Sequence, residues 1–356
     1  MKFSLFYEMQ ISNPTHDAEK RLFQDCVDQA VLADSLGYHC VWAVEHHGLY
    51  EYAHSSAPEV FLSFVAARTK RIRIGHGVTL TPQRFNHPVR IAERVATLDI
   101  LSEGRVNWGS GKSSSNVEPE LFETDPNMLD SLWEEALRMI PRMWRDEPFS
   151  WSGRHYSIAP THIVPKPMQT PHPPIFTSTA RPQSLVRAGQ MGLGVLNFSA
   201  SNYDDLTGRV RAYKNASKSA NPSDWAKTDH FCITTYTCVL PDDNQACLHG
   251  FTGATFFRDS FDLYYNRKTR PPIGPLAVCR SPVSADMLGV LKEVRNDDMN
   301  MLSIIGDPSV AREKVDMFRK AGVDEILLIM QLGLIPNHII RESLKCFAEE
   351  VMPYFS

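Results

Sequence analysis

The sequence predicts a parallel (β/α)8 barrel, an α/β fold of the TIM-barrel type, and three observations lead there. Eight short apolar runs of strand character recur along the chain, each joined to the next through a stretch with helical spacing. At 356 residues the chain has room for eight βα units and for a core that needs no disulfide or metal staple. Residues able to do chemistry fall just after those runs, where the βα loops of a barrel gather. Residues 1–356 are therefore read as a single domain.

The elements follow in order. Phe3–Glu8 is an apolar run ending in a carboxylate. Leu22, Phe23, Cys26, Val27, Ala30 and Val31 then mark a helix that Gly37 closes in a left-handed cap. Cys40–Val44 reads as a buried strand followed directly by Glu45-His46-His47. Pro58–Thr69 is helical, Arg71–Leu80 a strand carrying Gly75 and Gly77, and Pro88–Leu101 a helix opened by proline. Arg105–Gly109 is a strand and Leu129–Trp144 a helix. Residues 148–173, rich in proline and aromatics, form an irregular or hairpin insertion. Strands at Ile175–Thr177, Leu193–Phe198, Phe231–Leu240 and Glu325–Met330 alternate with helices at Pro182–Met191, Tyr203–Lys218, Asp243–Phe257 and Pro308–Lys320. A last helix covers Asn337–Val351. Residues 258–301 break the rhythm with Arg270-Pro271-Pro272 and Gly274-Pro275, and are expected to be a mobile lid insertion.

Composition excludes several classes. Hydrophobic residues make up 43% and charged residues 22%, an ordinary globular balance. A net charge of −4 supplies no basic field for a nucleic-acid backbone. No run approaches the roughly 18 apolar residues of a membrane span, and the first residues do not read as a signal peptide. Seven cysteines without a Cys-x-x-Cys pair read as buried reduced thiols of a cytoplasmic protein.

The barrel reading selects the loops to interrogate. His46 and His47 are adjacent and lack the His-x-x-x-His or His-x-His spacing of a zinc site, so no metal is assigned; an imidazole there is either a buried structural histidine or a group suited to proton transfer near neutral pH. Gly109-Ser110-Gly111-Lys112-Ser113-Ser114-Ser115 imitates a phosphate loop. Position 106 is Val where a Walker loop needs Gly, and Ser114 stands where a dinucleotide fingerprint needs its third Gly. What remains is Lys112 among hydroxyls, including Ser114, competent to hold a phosphate or to lie in a solvated loop. Ser178, Thr179, Ala180 and Arg181 precede Pro182, with Ser184 beyond, so hydroxyls and free N–H groups converge on a helix start. Two anion-friendly loops suggest a phosphorylated ligand. Gly75 and Gly77 allow a flat ring close to the backbone, or mark a bulge in the strand. Glu8, Asn107, Trp108 and Phe198 are candidate pocket residues.

Together, Val41-Trp42-Ala43-Val44-Glu45-His46-His47, Arg71-Ile72-Arg73-Ile74-Gly75, His87-Pro88-Val89-Arg90-Ile91-Ala92-Glu93, Leu98-Asp99-Ile100-Leu101-Ser102-Glu103-Gly104-Arg105 and the closing Val351-Met352-Pro353-Tyr354 resemble the bacterial luciferase-like flavin-dependent monooxygenases, in particular their alkanal-monooxygenase branch. The resemblance implies a barrel homodimer that binds FMN as FMNH2 delivered by a separate NAD(P)H:flavin reductase. It also implies O2 activation as a flavin C4a-(hydro)peroxide that oxygenates a small organic substrate. His46 aligns with the family's proton-transfer histidine, with His47 shaping the pocket beside it. Gly77-Val78 aligns with a non-prolyl cis peptide behind the flavin ring. Lys112 and Ser178–Ser184 align with the two phosphate loops. The family's reactive cysteine is Gly111 here, and a phosphate-side glutamate is Ala180. Two alternatives stay open: a non-catalytic flavin-binding subunit of a heterodimer, and an F420- or flavin-dependent hydride-transfer oxidoreductase of the same superfamily.

Overall fold

A computed structural model describes residues 1–198, 202–267, 269–296 and 303–355. In chain order its elements are β1 (Lys2–Tyr7), α1 (His16–Leu36), β2 (Cys40–Ala43), α2 (Pro58–Arg68), β3 (Arg73–Leu80), α3 (Pro88–Leu101), β4 (Val106–Gly111), a short α4 (Glu118–Leu121), α5 (Leu129–Arg145), β5 (Phe149–Ser152), β6 (Ser157–Thr161), β7 (Ile175–Thr179), α6 (Pro182–Gln190), β8 (Gly194–Asn197), α7 (Tyr203–Lys218), β9 (Phe231–Val239), α8 (Asp243–Tyr265), α9 (Leu288–Asn296), β10 (Ser303–Gly306), α10 (Pro308–Lys320), β11 (Glu325–Ile329) and α11 (Asn337–Glu350).

Strands β1, β2, β3, β4, β7, β8, β9 and β11 pair in parallel and close into a barrel, sealed where Lys2 meets Glu325 and Val195 meets Phe231. The strands are buried almost throughout, as an all-parallel barrel covered by helices requires. Local signals set the boundaries. Thr15 Oγ1 accepts from the Ala18 N–H at the start of α1, and Gly37 at φ 86° closes it.

The barrel floor is filled by side chains. A Cβ on Gly75 would overlap the Trp42 ring, so the flat ring that this strand glycine admits is the protein's own indole. Trp42 meets Phe176 edge-on at 5.0 Å and donates Nε1–H to Glu325 Oε1 at 3.0 Å. Ser4 Oγ donates to the same oxygen at 2.6 Å, and His230 Nε2 lies 2.8 Å from Oε2. His230, Cys232 and Glu325 bring ligand atoms within 4.8 Å of one another, but both Glu325 oxygens are already engaged by these partners.

Three elements differ from expectation. A ninth parallel strand, β10, pairs with the far end of β9 from Ser303↔Tyr236 to Gly306↔Val239; four residues are too short a run to announce themselves. Helix α8 does not stop at Phe257 but runs to Tyr265, because Phe256, Phe257, Ser260, Leu263 and Tyr264 keep one face buried. The first eight residues of the 258–301 segment are thus helical, and α9 makes a further helix within it. Positions 268 and 297–301 of that segment lie outside the described residues. Within 148–173, β5 and β6 form an antiparallel ribbon. All seven cysteines are free; six are buried, whereas Cys279 is exposed. Among the described residues, no helix is long and apolar enough to cross a membrane.

Candidate active site

His46 leaves the end of β2, with its backbone N–H bonded to the Ser55 carbonyl. Its ring Nδ1 stands 2.9 Å from Oε1 of the fully buried Glu118, the first residue of α4. Glu118 collects four donors. Besides His46 these are the His47 N–H at 2.9 Å, Ser113 Oγ at 2.6 Å and Ser115 Oγ at 2.9 Å. A carboxylate so supplied stays ionised, and although burial opposes this, His46, the Ser113 hydroxyl and the His47 N–H hold its pKa well below the usual range. Burial alone would lower the His46 pKa, but the Glu118 charge and hydrogen bond, aided by Glu8 and Glu45, outweigh it and push the imidazole well above its ordinary value. Because an ionised carboxylate only accepts, Nδ1 carries the hydrogen and Nε2 is left for chemistry.

Around Nε2 stand Glu8 Oε2 at 3.6 Å and the Tyr265 hydroxyl at 3.0 Å. Burial raises the Glu8 pKa to about 7, against the pull of His46 and of a hydrogen bond from Tyr52. Tyr52 is ringed by Phe257, Phe261 and Tyr265 from α8. Phe198 stacks on Phe261 at 5.2 Å and so joins the same aromatic group. His47 turns the other way: its Nε2 lies 3.1 Å from Glu45 Oε1 and its ring packs on Phe122. Glu45 is itself fixed by the Leu80 N–H and the Asn86 amide.

A cavity of about 560 Å³ opens beside this cluster at the C-terminal ends of β4 and β7. Lys112, Ser114, Ser178, Thr179, Ala180, Arg181 and Ser184 all line it, so the two anion-friendly loops meet in one space. Arg187 adds a further cation. Lys112 is ion-paired to Asp130, and Arg187 donates Nη2 to Glu134 at 2.9 Å, so its charges are partly answered within the chain. The Gly77–Val78 peptide is cis. Gly77 and Val78 sit one layer behind the wall, with the Val78 side chain filling the room that a Cβ on Gly111 would take.

Two expected pocket residues lie elsewhere. Trp108 is fully buried and packs edge-on against Trp144 of α5 at 5.3 Å, between barrel and helix. Asn107 sits at the other end of the barrel, where its Oδ1 accepts from Arg73 Nε at 2.8 Å and its amide reaches Cys40 Sγ. The cause is strand length: β4 runs on to Gly111, so residues 107 and 108 belong to its first half and the mouth begins at residue 111.

Glu118, Tyr52 and Tyr265 were not among the sequence candidates. Glu118 had a signal, the Ser115-x-x-Glu118 spacing of a capping box; the Ser115 hydroxyl accepts from the Glu118 N–H at 3.1 Å, although α4 begins at Glu118 itself, with Val117 as its N-cap. Tyr52 and Tyr265 carry no motif, and only the approach of α8 brings them to His46.

A family model described as luciferase-like monooxygenase matches residues 1–325. The oxygenase component of the flavin-dependent trigonelline monooxygenase of Acinetobacter baylyi is 25% identical, over 100% of this chain and 96% of its own. The crystal structure of monooxygenase RslO1 from Streptomyces bottropensis superimposes with a TM-score of 0.84 at 24% identity, covering all of both chains. An F420-dependent glucose-6-phosphate dehydrogenase of Amycolatopsis mediterranei is also 25% identical, over 93% of this chain and 94% of its own.

Proposed function

This chain belongs to the luciferase-like monooxygenase family, and on that premise we propose that it is the oxygenase component of a two-component monooxygenase. In this reading it takes FMN in reduced form from a separate NAD(P)H:flavin reductase and uses O2 to oxygenate a small organic substrate, with His46 as the proton-transfer residue. The observation that carries the reading is the junction of two features in one mouth: an imidazole charged by a buried carboxylate, and an anion cavity whose wall holds the same carboxylate through Ser113 and Ser115.

The residues present fit a flavin phosphate. Lys112, Arg181 and Arg187 supply positive charge, Ser114, Ser178, Thr179 and Ser184 supply hydroxyls, and the start of α6 supplies free N–H groups. The volume is within the range of about 300–1,000 Å³ typical of small-ligand sites. Bound reduced flavin supplies the electrons that activate O2 for transfer of one oxygen atom.

The chain's own groups then have defined tasks. Glu118 holds His46 in one orientation and keeps it protonated at neutral pH. His46 delivers or recovers a proton at Nε2. Tyr265 and Tyr52 exclude water on the side facing α8, and Glu8, poised near neutrality, accepts the proton that His46 must exchange. His47 braces the loop through Glu45.

The F420-dependent relative, at the same 25% identity over 93% of the chain, favours a second reading, hydride transfer with a deazaflavin whose phosphate occupies the same cavity. One experiment separates the two. The protein is loaded anaerobically with reduced FMN or reduced F420 and mixed with oxygenated buffer, and the return of oxidised-cofactor absorbance is followed by stopped flow. Tight FMN binding with reoxidation slower than in free solution supports the monooxygenase. Reoxidation of FMN at the free-solution rate, together with tight F420 binding, overturns it.

A further inference from the structure

On the barrel face opposite His46, the first residues of β1 and β3 and the turn before β2 frame a second cavity, of about 420 Å³. Its lining includes Lys2, His39, Arg71 and Arg73, with Tyr38 and Met352 among the apolar parts, and no carboxylate side chain among the described residues. In a chain of net charge −4, three permanent cations gathered in one concavity are a local inversion of sign.

These cations are not spent on one another's neighbours. Lys2 Nζ makes no hydrogen bond or ion pair among the described residues. Arg73 is fixed through Nε to Asn107 and through Nη2 to the Val106 carbonyl and Gln169, which leaves Nη1 unengaged among the described residues. Arg71 donates Nη2 to the carbonyls of Asp34 and Ser35. Asp34 turns its carboxylate to the backbone, accepting from the N–H groups of Lys70, Arg71 and Ile72 at 2.9, 2.9 and 2.7 Å, and the buried Glu325, spent on the barrel floor, stands 4.0 Å from His39 Nε2. Two guanidinium groups are thus held in place before any ligand arrives, so little rotamer freedom remains to be lost on binding. His39 adds a neutral donor or acceptor. Burial lowers its pKa to about 4, with Lys2 and Arg73 adding to that effect against the opposing pull of Glu325.

We propose that this basal cavity binds a small polyanion, a molecule bearing phosphate or several carboxylates, between Lys2, Arg71 and Arg73. Planar guanidinium forks match the oxygens of either group, and the low-dielectric walls of a concavity strengthen the attraction. The site stands apart from the mouth that holds His46 and does not depend on the reaction assigned there.

Isothermal titration calorimetry tests it, using inorganic pyrophosphate at constant ionic strength on the full-length Lys112→Ala protein, in which the upper cavity is weakened. Saturable binding is expected, reduced about tenfold or more by adding Lys2→Ala and Arg71→Gln. Lys2→Glu, at a side chain on which no described contact depends, gives the same reading if the double substitution unfolds the chain. Absence of saturable heat, or an affinity unchanged in these variants, overturns the site. A parallel titration with citrate identifies which anion class binds more tightly; tighter binding of either class, lost in the Lys2 variant, supports the proposal.

Discussion

Oε1 of Glu118 stands 2.9 Å from Nδ1 of His46, across a sequence separation of 72 residues. The pairing therefore favours the cationic imidazole, whose other nitrogen, Nε2, faces Glu8 and the Tyr265 hydroxyl. An unpaired histidine in the same buried position would be neutral.

Glu118→Gln removes the charge that outweighs burial at His46. The sign is fixed by the direction of the shift. A raised folded-state pKa means that the pairing contributes stability fully below the ordinary histidine value of about 6.5 and loses it as pH climbs through the raised value. The alkaline limb of the pH–rate profile should move down by at least about one unit in the variant, with turnover lowered roughly 10- to 100-fold above neutrality. A limb that stays where it is would show that Glu118 does not set the acidity of His46.

His46→Ala should keep flavin binding, because no cavity-lining residue is altered, yet lose about 10²–10⁴ in turnover. Oxygen uptake coupled to product formation measures the loss. Turnover equal to that of the parent protein would remove His46 from the proton-transfer step.

Lys112→Ala should weaken reduced-FMN binding by about 1 kcal/mol, the lower end for a charge-assisted contact, since the side chain is 37% exposed and already paired with Asp130. Asp130→Asn should act in the opposite direction by freeing the ammonium. Equilibrium fluorescence titration compares the two, and a shared direction of change would place the phosphate away from Lys112.

Glu325 anchors the floor. Hydrogen bonding and charge from His230, with help from His39 and Ser4, overcome burial and lower its pKa to about 2, so its contribution is complete above about 4.5 and fades as pH falls toward 2. Glu325→Ala should cost about 3–5 kcal/mol by stranding its donors. Urea unfolding at pH 7 measures it, and a loss below about 1 kcal/mol would refute the anchoring role.

Trp108→Ala should destabilise the fold by about 3–5 kcal/mol without changing flavin affinity, because its ring fills the space against Trp144. A binding defect with unchanged stability would return Trp108 to the pocket.

The eight barrel strands were legible because each is a short apolar run closed by a turn signal. Lys112, Ser178 and Ser184 were legible as a group because hydroxyls and a helix-opening proline mark anion loops in sequence. Other features depend on distance through space. The four residues of β10 carry too little pattern, and the extra turns of α8 look like the start of an irregular stretch until Tyr52 is seen waiting for them. Two further residues of strand length in β4 carry Asn107 away from the mouth toward the floor and set Trp108 against α5. Glu118 shows how a short-range signal can carry a long-range role: Ser115-x-x-Glu118 announces a helix start, and the loop that makes it also delivers a carboxylate to a histidine from another βα unit.

Ser113 and Ser115 look two ways, lining the anion cavity while donating to the carboxylate behind it. Thermodynamic reciprocity then binds the two together: by whatever factor an anion on those hydroxyls changes the proton affinity of His46, protonation of His46 changes the affinity for that anion. Counting the protons released or absorbed as the cavity fills, in a weakly buffered solution, therefore reads the coupling between the two without a single catalytic cycle.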